Sequence, residues 1–157
     1  DFYGPRAVDT VFGERFFAAA AAGKPVDLLG NPDLPHTYTY VPDFARALIT
    51  LSEQEATYGR AWHTPNAATI STRAMLQHFA TALGRPIPSR TAGPLMMRLV
   101  GLFVPMVREM AEMSYQFTEP FCVDDRQFRA AFGAQTTPVE EAVAATLAWH
   151  TGHSVGR

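Results

Sequence analysis

The chain has 157 residues, room for one domain of ordinary size, and its 47% hydrophobic and 18% charged residues exclude disorder as the main state. A formal net charge of -2 leaves no electrostatic case for nucleic acid or an acidic membrane surface. A single cysteine, Cys122, excludes an internal disulfide framework and a cysteine zinc site and fits a reducing compartment.

The elements read as follows in chain order. Residues 1–5, Asp-Phe-Tyr-Gly-Pro, form the end of a strand running into a Gly-Pro turn. Val11 to Ala22 is a helix, with Phe12, Phe16, Ala19 and Ala20 on one face and Gly23-Lys24-Pro25 as its stop. Val26 to Leu29 is a short strand and Gly30 to Asp33 a turn. His36 to Val41 is a second strand, which sets His36, Tyr38 and Tyr40 on one face and Thr37 and Thr39 on the other. Asp43 to Ser52 is a helix with Phe44, Leu48 and Leu51 inward, and Arg60 to Thr64 a strand. Ser71 caps a helix that runs to Leu83, where Gly84 supplies a left-handed stop. Ile87 to Arg90 is another short strand.

Pro94 to Leu102 and Pro105 to Phe117 read as two helices separated by Pro105. Val123 to Phe132 reads as a strand end and a helix stopped by Gly133. Thr137-Pro138-Val139-Glu140 is a capping box with Pro at N1, opening the last helix. The strands are too few for a complete doubly wound sheet, so the chain reads as the part of an α/β protein that follows its main sheet. Residues 1–150 are the expected domain and 151–157 a tail. No apolar stretch reaches the ~18–20 residues of a membrane span. The first fifteen residues hold no initiator Met and no signal peptide, and the chain is expected to be cytoplasmic and to begin in mid-protein.

The chemistry-bearing patterns are mostly negative. No three of the eleven glycines have the spacing of a dinucleotide-binding loop, and there is no phosphate loop with its lysine. The histidines lack metal-ligand spacing, and His150 and His153 read as part of a solvated tail. Cys122, between Phe121 and Val123, reads as a buried small hydrophobe. Met106, Met110, Met113 and Phe117 share one helical stripe, which fits adaptable core packing or one wall of an apolar pocket with Glu112 and Tyr115 nearby. The strand from His36 to Tyr40 offers an imidazole and two phenols on one face, an arrangement equally at home in a core.

Three segments carry a resemblance. Asp1-Phe2-Tyr3-Gly4-Pro5 is similar to an Asn-x-Tyr-Gly-Pro segment. The stretch from His36 through Val41-Pro42-Asp43-Phe44-Ala45-Arg46-Ala47 is similar to Arg-Asp-Phe-x-x-Val-Asp-Asp-x-Ala-x-Ala. The run from Phe121-Cys122-Val123-Asp124 through Phe132-Gly133 and Thr137-Pro138 to Trp149 is similar to a closing strand, Leu-Gly turn and final helix. In this order they resemble the C-terminal half of extended short-chain dehydrogenase/reductases, the NAD-dependent epimerase/dehydratase family. The resemblance implies an α/β fold: the helix-rich C-terminal portion of an NAD(P)-binding Rossmann-type protein, with few short strands and the main nucleotide-binding sheet missing. It implies a parent enzyme that binds NAD or NADP and carries a Tyr-x-x-x-Lys pair in its N-terminal part, with this portion forming much of the substrate pocket.

The only lysine, Lys24, has Ala20 four residues before it, so no such pair exists here. The chain alone is therefore expected to bind no cofactor and to be inactive. Carried over residue by residue, Asp1, Tyr3, His36 and Tyr38 are candidate substrate contacts, with Met110 and Tyr115 added by position. His36 stands where nucleotide-sugar members often place a phosphate-clamping Arg, and Asp1 where they place an Asn, which points to a smaller, less charged hydroxyl or carbonyl substrate. Expected partners are that small molecule and the missing N-terminal Rossmann part, with a homodimer formed through exposed apolar edges. The other readings are a non-catalytic regulatory or scaffold protein derived from the same fold, and a small hydrolase using Cys122 with His150.

Overall fold

The computed structural model describes residues 1–92 and 115–153. In chain order the elements are β1 (Phe2–Tyr3), α1 (Glu14–Ala21), β2 (Val26–Leu29), β3 (Pro35–Thr37), β4 (Thr39–Tyr40), α2 (Val41–Ser52), a 3-10 turn (Glu55–Thr57), β5 (Thr69–Ser71), α3 (Thr72–Leu83), β6 (Ser89–Ala92), α4 (Tyr115–Thr118), α5 (Arg126–Phe132) and α6 (Val139–His153). The strands form three two-stranded ribbons: β1 with β4 and β2 with β6 in parallel, and β3 with β5 antiparallel. This is the expected helix-rich α/β chain, with strands too short to make a sheet of their own. Most of the two helices expected between residues 94 and 117, Met110 and Glu112 included, lies outside the described residues.

One core joins α1, β2, α3 and α6. Phe12, Phe16, Phe17, Phe79, Tyr38, Met75 and Val143 are all buried in it. Phe12 is its hub, with ring centroids 5.1 Å from Phe16, 5.2 Å from Phe79 and 5.2 Å from Tyr38. Aromatic pairs at such spacing add to the gain from burial. Phe12 nevertheless precedes α1, which starts at Glu14 rather than at Val11. Gly13 is extended, and the Glu14 amide donates to the Val8 carbonyl at 2.9 Å. A Cβ on Gly13 would lie 2.0 Å from that same Val8 oxygen, so only glycine lets the loop close on the helix start.

α3 follows the expectation at both ends. The Ser71 hydroxyl accepts from the Ala74 amide at 3.1 Å, and Gly84 is left-handed with φ 67°. Other expectations are corrected. The strand expected from Arg60 to Thr64 does not form, and Trp62 Nε1–H there donates to the Thr57 carbonyl. The last strand starts at Ser89 instead of Ile87, since Pro88 has no amide to donate and Ile87 is buried in the core. The strand expected from His36 to Val41 is broken at Tyr38, so His36, Thr37, Tyr38 and Tyr40 are all buried. On α2 the inward residues are Asp43 and Ala47, while Leu48 is 49% exposed. Ile49, at 58%, and Phe2 are also exposed.

Cys122 is exposed, not buried, because it alternates with Phe121 and Val123, whose amides turn inward to the Pro35 carbonyl and the Thr37 hydroxyl. His150 is no tail residue. It is buried against Phe17, centroids 4.1 Å apart, and α6 continues through His153.

The expected capping box is replaced by a longer-range tie. Asp43, 2% exposed, accepts from the Thr137 amide (2.8 Å) and hydroxyl (2.7 Å) and pairs with Arg46. Arg46 Nη2 also donates to the Thr137 hydroxyl at 2.9 Å, and Glu140 faces His78 at 3.6 Å instead of reaching back. Pro138 precedes the helix, its carbonyl accepting from the Ala142 amide. A buried carboxylate on α2 thus holds the start of α6. Asp43→Ala removes the acceptor shared by the Thr137 amide and hydroxyl and is expected to cost about 2 kcal/mol in urea denaturation, against about 1 kcal/mol for Thr137→Val.

Candidate functional site

A groove of about 760 Å³ runs between α1 and the outward face of β2 and β6. The period of two in β2 builds it: Val26 and Leu28 turn into the core, while Asp27 is exposed and Leu29 half-buried. Asp27 pairs in register with Arg90 of β6, whose guanidinium forks onto both carboxylate oxygens. The fork holds the Asp27 carboxyl below the usual carboxylate range. From α1, Arg15, Phe16 and Ala19 complete the wall, and Lys24 lies at the start of the strand. Asp1 and Phe117 also line the groove.

Gly30 fixes Phe117 at the Leu29 end. Its φ is 60°, and a Cβ there would lie 2.2 Å from the Phe117 carbonyl oxygen, which instead accepts from the Asn31 amide at 2.8 Å. Phe117 in turn stacks on His36 at 5.7 Å and 6°, and Phe121 stacks on the same imidazole at 5.1 Å and 27°. His36 Nε2 stands 2.9 Å from Asp1 Oδ2. His36 is only 4% exposed, and burial pulls its pKa down to about 4, with the chain's terminal ammonium acting the same way and a main-chain hydrogen bond to Gln116 opposing them.

The residues singled out in the sequence therefore divide. Asp1 and His36 come together, with the Tyr38 ring 4.7 Å from the imidazole, and only Asp1 lines the groove. Tyr38 belongs to the core, its hydroxyl 2.7 Å from that of Thr72 and its pKa pushed up to about 12 by burial. Tyr3 is buried against Tyr40, and burial raises its pKa further still. Tyr115 is 53% exposed on α4, and Met110 lies outside the described residues. Sequence reasoning missed Arg15, Asp27 and Arg90. The i, i+2 pattern of β2 marks Asp27 as outward, but its pairing with Arg90 spans 63 residues.

The glycines that make close approaches do so to the chain's own atoms: Gly4 to Tyr40, Gly13 to Val8, Gly30 to Phe117. At these three positions the close approach is used by the chain's own atoms and not by a ligand. No group of three or more His, Cys, Asp or Glu among the described residues is placed to hold a metal. None of the described helices is long and apolar enough to cross a membrane.

Because the fold holds His36 neutral, the unfolded chain binds a proton more readily than the native one between its ordinary pKa and about 4. Stability is expected to be full above about pH 6.5 and to fall by up to about 3 kcal/mol as pH drops to 4. Urea titrations across this range check it. His36→Gln should flatten the slope, and an unchanged slope would refute the assignment.

No family model matches the sequence, and neither does any curated protein. Solved structures do match. The UDP-glucuronic acid 4-epimerase of Bacillus cereus in complex with NAD superposes with TM-score 0.71 at 13% identity, over 96% of this chain and 42% of that one. The dTDP-glucose 4,6-dehydratase of Bacillus anthracis in complex with NAD gives 0.69 at 15%, over 99% and 44%. The UDP-glucose 4-epimerase of Thermus thermophilus with NAD gives 0.67 at 19%, over 97% and 44%. At these identities the likeness speaks for the fold. The chain spans less than half the length of these structures and has the fold of part of the Rossmann-type NAD-dependent epimerases and dehydratases, the extended short-chain dehydrogenase/reductases.

Proposed function

We propose that this chain forms the substrate-binding part of an NAD(P)-dependent epimerase/dehydratase or related reductase acting on a hydroxyl or carbonyl compound. The observation that carries the reading is the groove of about 760 Å³, with Asp1 on its lining, in a chain that folds like part of such enzymes. Its volume suits a small organic ligand. Binding and orientation fall to this chain. The cofactor, NAD or NADP, and the proton-transferring Tyr-x-x-x-Lys pair fall to a preceding Rossmann part, the expected partner. A cytoplasmic setting and a homodimer belong to the same proposal.

The matched enzymes are named for nucleotide sugars. We place the substrate of this protein outside that class on electrostatic grounds. A diphosphate needs surplus positive charge. The cations along the groove, Arg15, Lys24 and Arg90, are matched by Asp1, Asp9 and Asp27, and Arg90 is already tied to Asp27. His36 adds none, being neutral and enclosed by rings.

Two outcomes are expected for the 157-residue chain. With NAD or NADP and a panel of alcohols and ketones, nicotinamide absorbance stays constant; sustained turnover would sink the division of labour. In NMR titrations, unphosphorylated polyols shift the resonances of Asp1, Phe16 and Leu29, and UDP does not displace them. Tight binding of UDP in this groove would overturn the substrate class.

A further inference from the structure

The groove has a direction. It follows β2, with Lys24 and Pro25 just before the strand and Leu29 at its end. Lys24 lies at one end. Phe117 is held at the other by the Gly30 contact, and Asp1 joins it there through His36, which touches both. The middle is occupied by the Asp27–Arg90 pair, whose charges cancel. The Leu29 end therefore presents an acceptor, the Asp1 carboxylate, beside an aromatic ring.

The carboxylate is placed there by His36. The imidazole is buried between Phe117 and Phe121, with Tyr38 against it, so it cannot turn out to meet a ligand itself. Its Nε2 nevertheless lies 2.9 Å from Asp1 Oδ2, a close contact without an aligned hydrogen bond, while the Asp1 side chain keeps 23% exposure, and the carbonyl of the same residue accepts from the Thr39 amide at 2.7 Å. The backbone of Asp1 is thus held and Oδ2 is buried beside the imidazole, while the rest of the side chain keeps its exposure.

We infer that Asp1 is a specificity-determining residue of the groove, that His36 is the positioning residue behind it, and that together they select a ligand bearing a hydrogen-bond donor, best a protonated amine, at the Leu29 end. The inference rests on the reading of this groove as the substrate pocket. An ammonium gains an ion pair together with its hydrogen bond to the carboxylate, a hydroxyl gains the hydrogen bond without the ion pair, and a ligand carboxylate is repelled. The Phe117 ring adds a face on which an amine-bearing carbon or a cation can rest.

The test uses three sugars that share a ring and differ in one group: glucosamine, glucose and glucuronate. Each is titrated into the 157-residue chain and followed by NMR on Asp1, Phe16, Leu29 and Phe117. Glucosamine should bind about tenfold more tightly than glucose, and glucuronate more weakly than either. Asp1→Asn should remove the preference for glucosamine over glucose. His36→Gln, which keeps a polar group beside Asp1, should retain the preference, and His36→Leu should lose it. If the His36 variants fail to fold, Asp1→Asn decides the matter alone. Equal binding of all three sugars, unmoved by Asp1→Asn, would overturn the inference and leave the pocket reading standing. No shift of any groove resonance with any sugar would overturn both.

Discussion

A neutral imidazole in a stack of aromatic rings is the feature on which the candidate site depends. His36 lies between Phe117 and Phe121 with Tyr38 alongside, and charging it there would mean desolvating a cation among apolar rings. Uncharged, it lets α4 and the segment around Phe121 pack onto β3, and it sets the Asp1 carboxylate at the end of the groove. The same residue therefore joins parts of the chain that are some eighty positions apart and gives the groove its polarity.

Around that point the fold solves a shortage of sheet. Among the described residues, three ribbons of two strands cannot make a core by themselves. The apolar face is supplied by α1, α3 and α6, with phenylalanines from the first two meeting on Phe12. The buried tie from Asp43 to Thr137 then fixes α6 relative to α2. Leu48, Ile49 and Phe2 stay outside this arrangement, since the face of α2 turned toward the core is the one carrying Asp43 and Ala47.

The parts of the site that sequence could reveal were those with a local cause. The alternation in Val26-Asp27-Leu28-Leu29 marks a half-buried strand, and Gly30 marks a turn, so one wall of the groove was readable. Asp1 and His36 stood out only through the resemblance of their segments to a known family, and nothing local said that they touch. Tyr38 and Tyr3 were attractive as hydroxyl donors for a ligand, but packing claimed them for the core. The Arg90 fork on Asp27 and the Phe117 stack on His36 depend on contacts across 63 and 81 residues, which no window of periodicity covers.

What the sequence determined alone was the class of fold and most of the described helix positions, because helix periodicity and capping residues act within a few residues. Tertiary structure decided which polar side chains face solvent. It buried His36 and His150, exposed Cys122 and diverted Thr137 from its own helix to Asp43. A side chain's burial is set by whatever packs against it, and those partners come from distant parts of the chain.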